Sequence, residues 1–127
     1  MSAARRYLAI VAAVATLGTL NGCVAAPIKI MTFQGETLKG STGLLVELDM
    51  TFAPDVKHPK FPIEWATKSP FIHFEEVPVG GVSSYSLKVF GIEPGQKVKC
   101  WITVGGLIYD SHEATFPKPA VCGGPPV

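Results

Sequence analysis

Residues 97–106 read KVKCWITVGG, and every second residue from 98 to 104 is apolar. This period of two is typical of a β-strand that places one face in a core and leaves Lys97, Lys99 and Trp101 on the other. Gly105 and Gly106 can supply the positive φ angles that a two-residue hairpin turn requires. We therefore expect residues 107–115 to return as the last strand, beside 97–104.

Alternation of the same kind extends through the chain. Residues 43–52 form the clearest strand pattern, with Glu47 and Asp49 among the residues of the polar face. Four other segments read as shorter strands: 28–33, 63–66, 72–77 and 85–89. Residues 34–42 are expected to be a polar connection. About seven short strands with turn signals between them predict an all-β fold, a small immunoglobulin-like antiparallel β-sandwich after an N-terminal apolar segment, with an antiparallel barrel as the alternative.

Composition and charge argue against nucleic-acid binding and against a helical fold. The chain has 127 residues, a formal net charge of +1, 13 Gly and 11 Pro. A chain this close to neutral lacks the basic surface of nucleic-acid-binding proteins, so no nucleic-acid partner is expected. The frequent glycines and prolines argue against long helices after Pro27.

Nothing in the sequence indicates catalysis. It contains no nucleophile elbow, no pair of catalytic carboxylates and no phosphate-binding loop. His58, His73 and His112 lie on separate segments; a site of two histidines and one carboxylate can be drawn from them, but their spacing does not require one. We therefore expect a protein that is not an enzyme and that has no metal site and no cofactor.

The N-terminal segment has the features of a secretory signal. Arg5 and Arg6 precede an apolar run that ends in Leu20-Asn21-Gly22-Cys23. This ending resembles the lipobox of bacterial lipoproteins, in which the cysteine thiol receives a diacylglyceryl group and becomes the first residue of the mature chain. The resemblance implies lipidation at Cys23.

Two other fates of this segment stay open. Cleavage after Ala25 would release a soluble domain, and residues 8–26 are long enough to remain as an uncleaved membrane helix. Under all three the domain is exported. The predicted organisation is a lipoprotein signal peptide over 1–22 (or a membrane helix to about 26), anchor and first strand over 23–42, the remainder of the sandwich over 43–122, and a loose tail over 123–127.

The cysteine count fits an exported protein. If Cys23 carries lipid, Cys100 and Cys122 remain as a pair, and in an oxidising compartment such a pair is expected to form a disulfide. Two free thiols are the alternative. A bond across this loop stabilises a fold by roughly 3 kcal/mol and would hold the proline-rich residues 116–121 on the final hairpin.

Residues 100–106, CWITVGG, are followed by the later Cys122. This pattern resembles the end of the small mycobacterial membrane proteins of the MmpS family, whose extracytoplasmic domain ends in a similar Cys-x-Ile-x-Val-x-Gly hairpin and a later cysteine. It is similar also to small actinobacterial envelope lipoproteins. The match lies within residues 100–122 and implies a small extracytoplasmic β domain that acts beside an exporter of lipids or siderophores.

Aromatic and basic side chains are the candidate binding residues. Trp101 lies opposite the core face of its strand, between Lys97, Lys99 and a threonine, and Trp65 lies in a short segment rich in phenylalanine. One interpretation is that one or both tryptophans close a small core, as aromatic residues often do. The other is an exposed aromatic patch flanked by lysines, suited to a partner protein or to lipid headgroups.

These features predict a membrane-anchored, exported binding or accessory lipoprotein on the extracytoplasmic face of the cell membrane. Its partners would be the membrane, through the lipid anchor, and an envelope or transporter protein. One alternative is a phage- or prophage-encoded surface lipoprotein that blocks infection. Another is a small lipid or glycolipid carrier, although about 100 residues leave little room for a cavity beside a core.

Overall fold

Strands are the only regular elements in residues 27–54 and 56–127, the part of the chain that a computed structural model describes. They are β1 (Ile28–Lys39), β2 (Gly43–Phe52), β3 (Val56–Lys57), β4 (Ile63–Lys68), β5 (Phe71–Pro78), β6 (Val82–Phe90), β7 (Lys97–Val104), β8 (Leu107–Thr115) and β9 (Ala120–Gly123). The predicted signal segment and Cys23 lie outside these residues. Within the described ranges, no helix is long and apolar enough to cross a bilayer.

The strands form two antiparallel sheets. In the first sheet the order is β9-β6-β2-β3, and β4 pairs with β2 on the same side as β3. In the second sheet the order is β5-β1-β7-β8. The predicted all-β sandwich is therefore confirmed, and the barrel alternative is not what forms. The immunoglobulin-like type of sandwich stays a prediction.

The alternating segments place their apolar sides between the two sheets. β2 and β7 supply the centre of the core, and each of their core residues is at most 2% exposed: Leu44, Val46, Leu48, Met50, Val98, Cys100, Ile102 and Val104. Met31 and Phe33 from β1 and Leu87 and Val89 from β6 are fully buried beside them. A strand of period two directs alternate side chains to opposite faces, so the same alternation that forms the core places Lys97, Lys99 and Trp101 on the outer face of the second sheet.

The first strand is longer than predicted. Residues 34–42 were expected to be a connection, yet β1 continues to Lys39. Gln34 pairs with Ile72 of β5 on one side and with Trp101 of β7 on the other. A central strand satisfies its backbone on both edges, and this outweighs the low strand propensity of a polar, glycine-containing segment.

The C-terminal tail is held rather than loose. Residues 120–123 form β9, which pairs with β6. Val127 is 9% exposed, and its main-chain N–H and carbonyl both pair with Val82. The prediction of a loose tail over 123–127 therefore does not hold for Gly123, which lies in β9, or for Val127, whose main chain is paired with that of Val82.

Candidate functional site

The disulfide joins the two sheets. The sulfurs of Cys100 in β7 and Cys122 in β9 are bonded at 2.02 Å, and the two Cα atoms lie 6.1 Å apart. Both cysteines are fully buried. The predicted pairing is confirmed, but its structural role differs from the expected one. Instead of holding an irregular tail on the final hairpin, the bond links strands in opposite sheets across the core.

Trp101 lies on the outer surface of the second sheet, where it is half-buried. Its neighbours across the sheet are Gln34 on β1 and Ser111 on β8. The Lys99 ammonium lies 5.3 Å from the centre of the indole ring, within the range of a cation–π contact. The core below is complete without this side chain, because the inward residues of β7 are all buried.

Charged residues of both signs lie on one side of this indole. Lys99 is flanked across the sheet by Glu36 on β1 and Glu113 on β8. Lys97 Nζ lies 3.2 Å from a carboxylate oxygen of Glu113. We name Glu36, Lys97, Lys99, Trp101 and Glu113 together the tryptophan face. An aromatic ring with paired charges at its border is the composition found at protein interfaces, where charges lie at the rim and aromatic residues at the centre.

Trp65 lies elsewhere. It is in β4 at the edge of the first sheet, and its ring packs against Phe71 and His73 of β5 with 5.0 Å between ring centres in each pair. β4 and β5 belong to different sheets, so Trp65 closes the seam between them. The structure therefore does not bring the four predicted binding residues together: Trp101, Lys97 and Lys99 share one surface, whereas Trp65 packs at the seam.

A clamped carboxylate lies in this seam. Lys60 Nζ donates to Glu75 Oε2 at 2.7 Å, and His73 Nε2 lies 2.6 Å from the same oxygen. The Glu75 side chain is only 13% exposed. Burial by itself raises the pKa of Glu75, but the hydrogen bonds and positive charges of Lys60 and His73 outweigh it and leave that pKa below the ordinary value. The arrangement is an ion pair that joins the loop of residues 58–62 to β5.

The three histidines have separate sets of contacts. Among the residues that the structure describes, no group of three His, Cys, Asp or Glu side chains is placed to hold a metal ion. His58 contacts the rings of Phe52 and Phe61, whereas His112 pairs with Asp110 on β8. His73 lies beside the carboxylate of Glu75 in the seam.

A shallow groove of about 470 Å³ runs over the outer face of the first sheet. Its wall is apolar at Leu45, Ala66 and Phe90, and Glu47 and Glu64 face each other across β2 and β4. The space between the sheets is filled by the core. The groove was not predicted, because it depends on β4 and β6 lying on either side of β2, and no local pattern in the sequence specifies that order.

Comparison of the chain with protein-family models, with curated proteins and with solved structures finds no match.

Proposed function

We propose that this chain is an exported lipoprotein whose β-sandwich is anchored through lipid on Cys23 and binds a protein of the cell envelope with the tryptophan face. One observation carries the proposal. Trp101 occupies an outer surface that the core does not need, with a lysine ammonium 5.3 Å above its ring. Tryptophan is among the residues that most often dominate the binding energy of protein interfaces.

The disulfide and the anchor agree with export. The Cys100–Cys122 bond suits an oxidising compartment. Attachment of lipid to Cys23 would leave Cys100 and Cys122 to form the disulfide. Each of the three cysteines would then have a role. The resemblance of residues 100–106 and Cys122 to the MmpS family supports an envelope exporter of lipids or siderophores as the partner.

Cross-linking in cells tests the partner. A photoreactive amino acid at position 99 should give adducts with one envelope protein, which mass spectrometry identifies. Trp101→Ala should reduce capture of that protein about tenfold or more, because it removes a central aromatic contact. Leu45→Ala, on the outer face of the other sheet, is the matched control and should leave capture unchanged. Equal capture by Trp101→Ala and wild type would contradict the proposal.

Mass spectrometry of the mature N-terminus tests the anchor. A diacylglyceryl cysteine at position 23 is expected as the first residue. An unmodified start at Ala26 would remove the anchor and leave a soluble exported domain.

The groove favours a second candidate function, that of a small carrier of lipid or glycolipid. Its volume of about 470 Å³ lies within the range of ligand sites. If this candidate is correct, a lipid should copurify with the wild-type protein. The same lipid should be lost from the variant Ala66→Trp, whose larger side chain fills the groove. Retention of the same lipid by that variant would argue against it.

A further inference from the structure

Large apolar side chains are exposed around one end of the sandwich. Each of them is between 47% and 69% exposed: Ile28, Ile30, Phe74, Val79, Leu107 and Ile108. We name these six residues the apolar rim. They come from the start of β1, from the middle of β5 and the turn after it, and from the start of β8.

Hydrogen bonds place these segments together. The Val79 N–H donates to the carbonyl of Pro27 at 2.9 Å, and the Gly105 N–H donates to the carbonyl of Ile30 at 3.0 Å. Both turns are thus fixed beside the first residues of β1. Along the outer face of the second sheet, Phe74 and Ile108 lie in one row, joined across the sheet through threonines of β1 and β7. The rim therefore lies at the end of the second sheet where β1 begins.

Ile72 adjoins the rim, because it lies two residues from Phe74 on the same face of the edge strand β5. The other exposed apolar side chains are scattered: Leu45 and Val121 lie on the first sheet, and Leu38 and Ile92 lie at the end opposite the rim. Single exposed apolar residues are ordinary on protein surfaces, whereas a contiguous group marks a contact with a protein or a membrane. Lys29 and Glu76 stand among the rim residues, a near-neutral combination suited to the headgroup layer.

The chain enters the domain at this end. Three residues separate Cys23 from Pro27, so the two lie at most about 14 Å apart even when the chain is fully extended. A lipid on Cys23 therefore brings the rim to the membrane surface. The maximum distance between Cys23 and Pro27 depends only on covalent geometry. It favours a bilayer over a protein as the partner that contacts the rim.

We propose that the apolar rim inserts its side chains into the surface of the lipid bilayer. This inference rests on the proposed anchor and adds a defined orientation to it. β1 rises about 3.3 Å per residue, so Glu36 lies about 26 Å along the strand from Ile28. The surface changes in that direction from apolar, through the half-buried Trp101, to the charged row around Lys99. Trp101 lies one row beyond Phe74 and Ile108, about 7 Å along the strands, and Lys99 lies one row further. The rim thus places Trp101 next to the lipid surface and directs the charged row beyond it toward a protein partner.

Photo-cross-linking with the full chain in its own membrane tests the contact. A photoreactive amino acid is placed at 30, 74 or 108, and at 38 or 92 as controls at the opposite end, where Leu38 and Ile92 are 42% and 49% exposed. We expect adducts with phospholipid acyl chains from the three rim positions and none from the two controls. Ile108→Lys should cause a several-fold loss of the lipid adducts formed from position 74, and Ile92→Lys should not.

Two results would overturn the inference: rim positions that form adducts with protein instead of lipid, or lipid adducts as frequent at 38 and 92 as at the rim. Thermal denaturation of each variant shows whether it is folded, and these exposed positions should tolerate replacement. Mass spectrometry of the same preparation reports on Cys23, and the adducts from position 99 report on the protein partner. Failure of the rim contact is thereby distinguished from failure of the anchor or of the partner interface.

Discussion

The side-chain nitrogen of Gln96 donates a hydrogen bond of 2.7 Å to the main-chain carbonyl of Gly43, a residue 53 positions earlier in the chain. Gln96 is fully buried. The same nitrogen donates to the main-chain carbonyl of Ser41 at 2.9 Å. The side-chain carbonyl oxygen of Gln96 accepts hydrogen bonds from the main-chain N–H groups of Ile92 and Glu93. One side chain therefore satisfies the backbone of two turns at the end of the sandwich opposite the apolar rim.

Replacing Gln96 with alanine should destabilise the fold strongly. The substitution leaves several buried backbone groups without partners, so we expect a loss of about 2–4 kcal/mol in the free energy of unfolding. Denaturant titration measures this loss. Gln34→Ala is the control, since Gln34 is only half-buried on the outer face of β1, and it should change stability by less than about 0.5 kcal/mol. Equal effects of the two substitutions would contradict the role assigned to Gln96.

Removing the disulfide should separate β9 from the core. The bond closes a loop between residues 22 positions apart, so the double variant Cys100→Ser/Cys122→Ser is expected to lose roughly 3 kcal/mol. Limited proteolysis should then cut first between Thr115 and Val127, because β9 is a four-residue edge strand held by β6 and by this bond. If no new cleavage appears in that segment, the disulfide is not what secures the strand.

Stability should fall in acid through the clamped carboxylate in the seam. The pKa of Glu75 is lowered in the folded state, so the unfolded chain binds the proton more readily. The contribution of Glu75 is complete above the ordinary glutamate pKa and is lost as the pH falls through the lowered value. Glu75→Gln should therefore show a smaller loss of stability than wild type between about pH 6 and pH 3.

Glu76→Gln provides the control for that titration. Glu76 is the next residue on β5 and faces solvent on the other side of the strand. Its replacement should leave the acid dependence of unfolding as it is in wild type. If both variants follow the wild-type curve, the interactions of Lys60 and His73 with Glu75 do not contribute measurably.

Tyr85 should tolerate loss of its hydroxyl. Tyr85 is 5% exposed, and its hydroxyl oxygen has no hydrogen-bond partner among the described residues. Burial raises the pKa of this phenol, and the nearby charges of Tyr109 and Asp110 add to the effect. Since an unpaired buried hydroxyl costs free energy, Tyr85→Phe should match wild type in stability or exceed it by up to about 1 kcal/mol. A loss greater than about 1 kcal/mol in denaturant titration would reveal a buried partner for the hydroxyl.

Much of the fold and one half of the candidate site can be predicted from local pattern. The alternation over 43–52 and 97–104 correctly indicates which side chains enter the core, and it places Trp101, Lys97 and Lys99 outside. The pairing of Cys100 with Cys122 follows from the cysteine count together with the predicted export and the predicted lipidation of Cys23. The position of Trp65 cannot be predicted in this way. The residues around it in the sequence do not indicate whether its ring faces a core, a seam or solvent.

The sequence by itself determined the two faces of each alternating strand, because side-chain direction in a strand has a period of two and depends on adjacent residues alone. Only the tertiary structure decided which strands pair and which sheet each one joins. Because of this pairing, the polar residues 34–39 form part of a strand and Val127 is hydrogen-bonded to Val82. The same pairing places Trp65 at the seam between the sheets and brings the residues of the apolar rim together near Pro27. The physical reason is that pairing is nonlocal: each strand must satisfy its backbone on its edges and bury its apolar face at the same time.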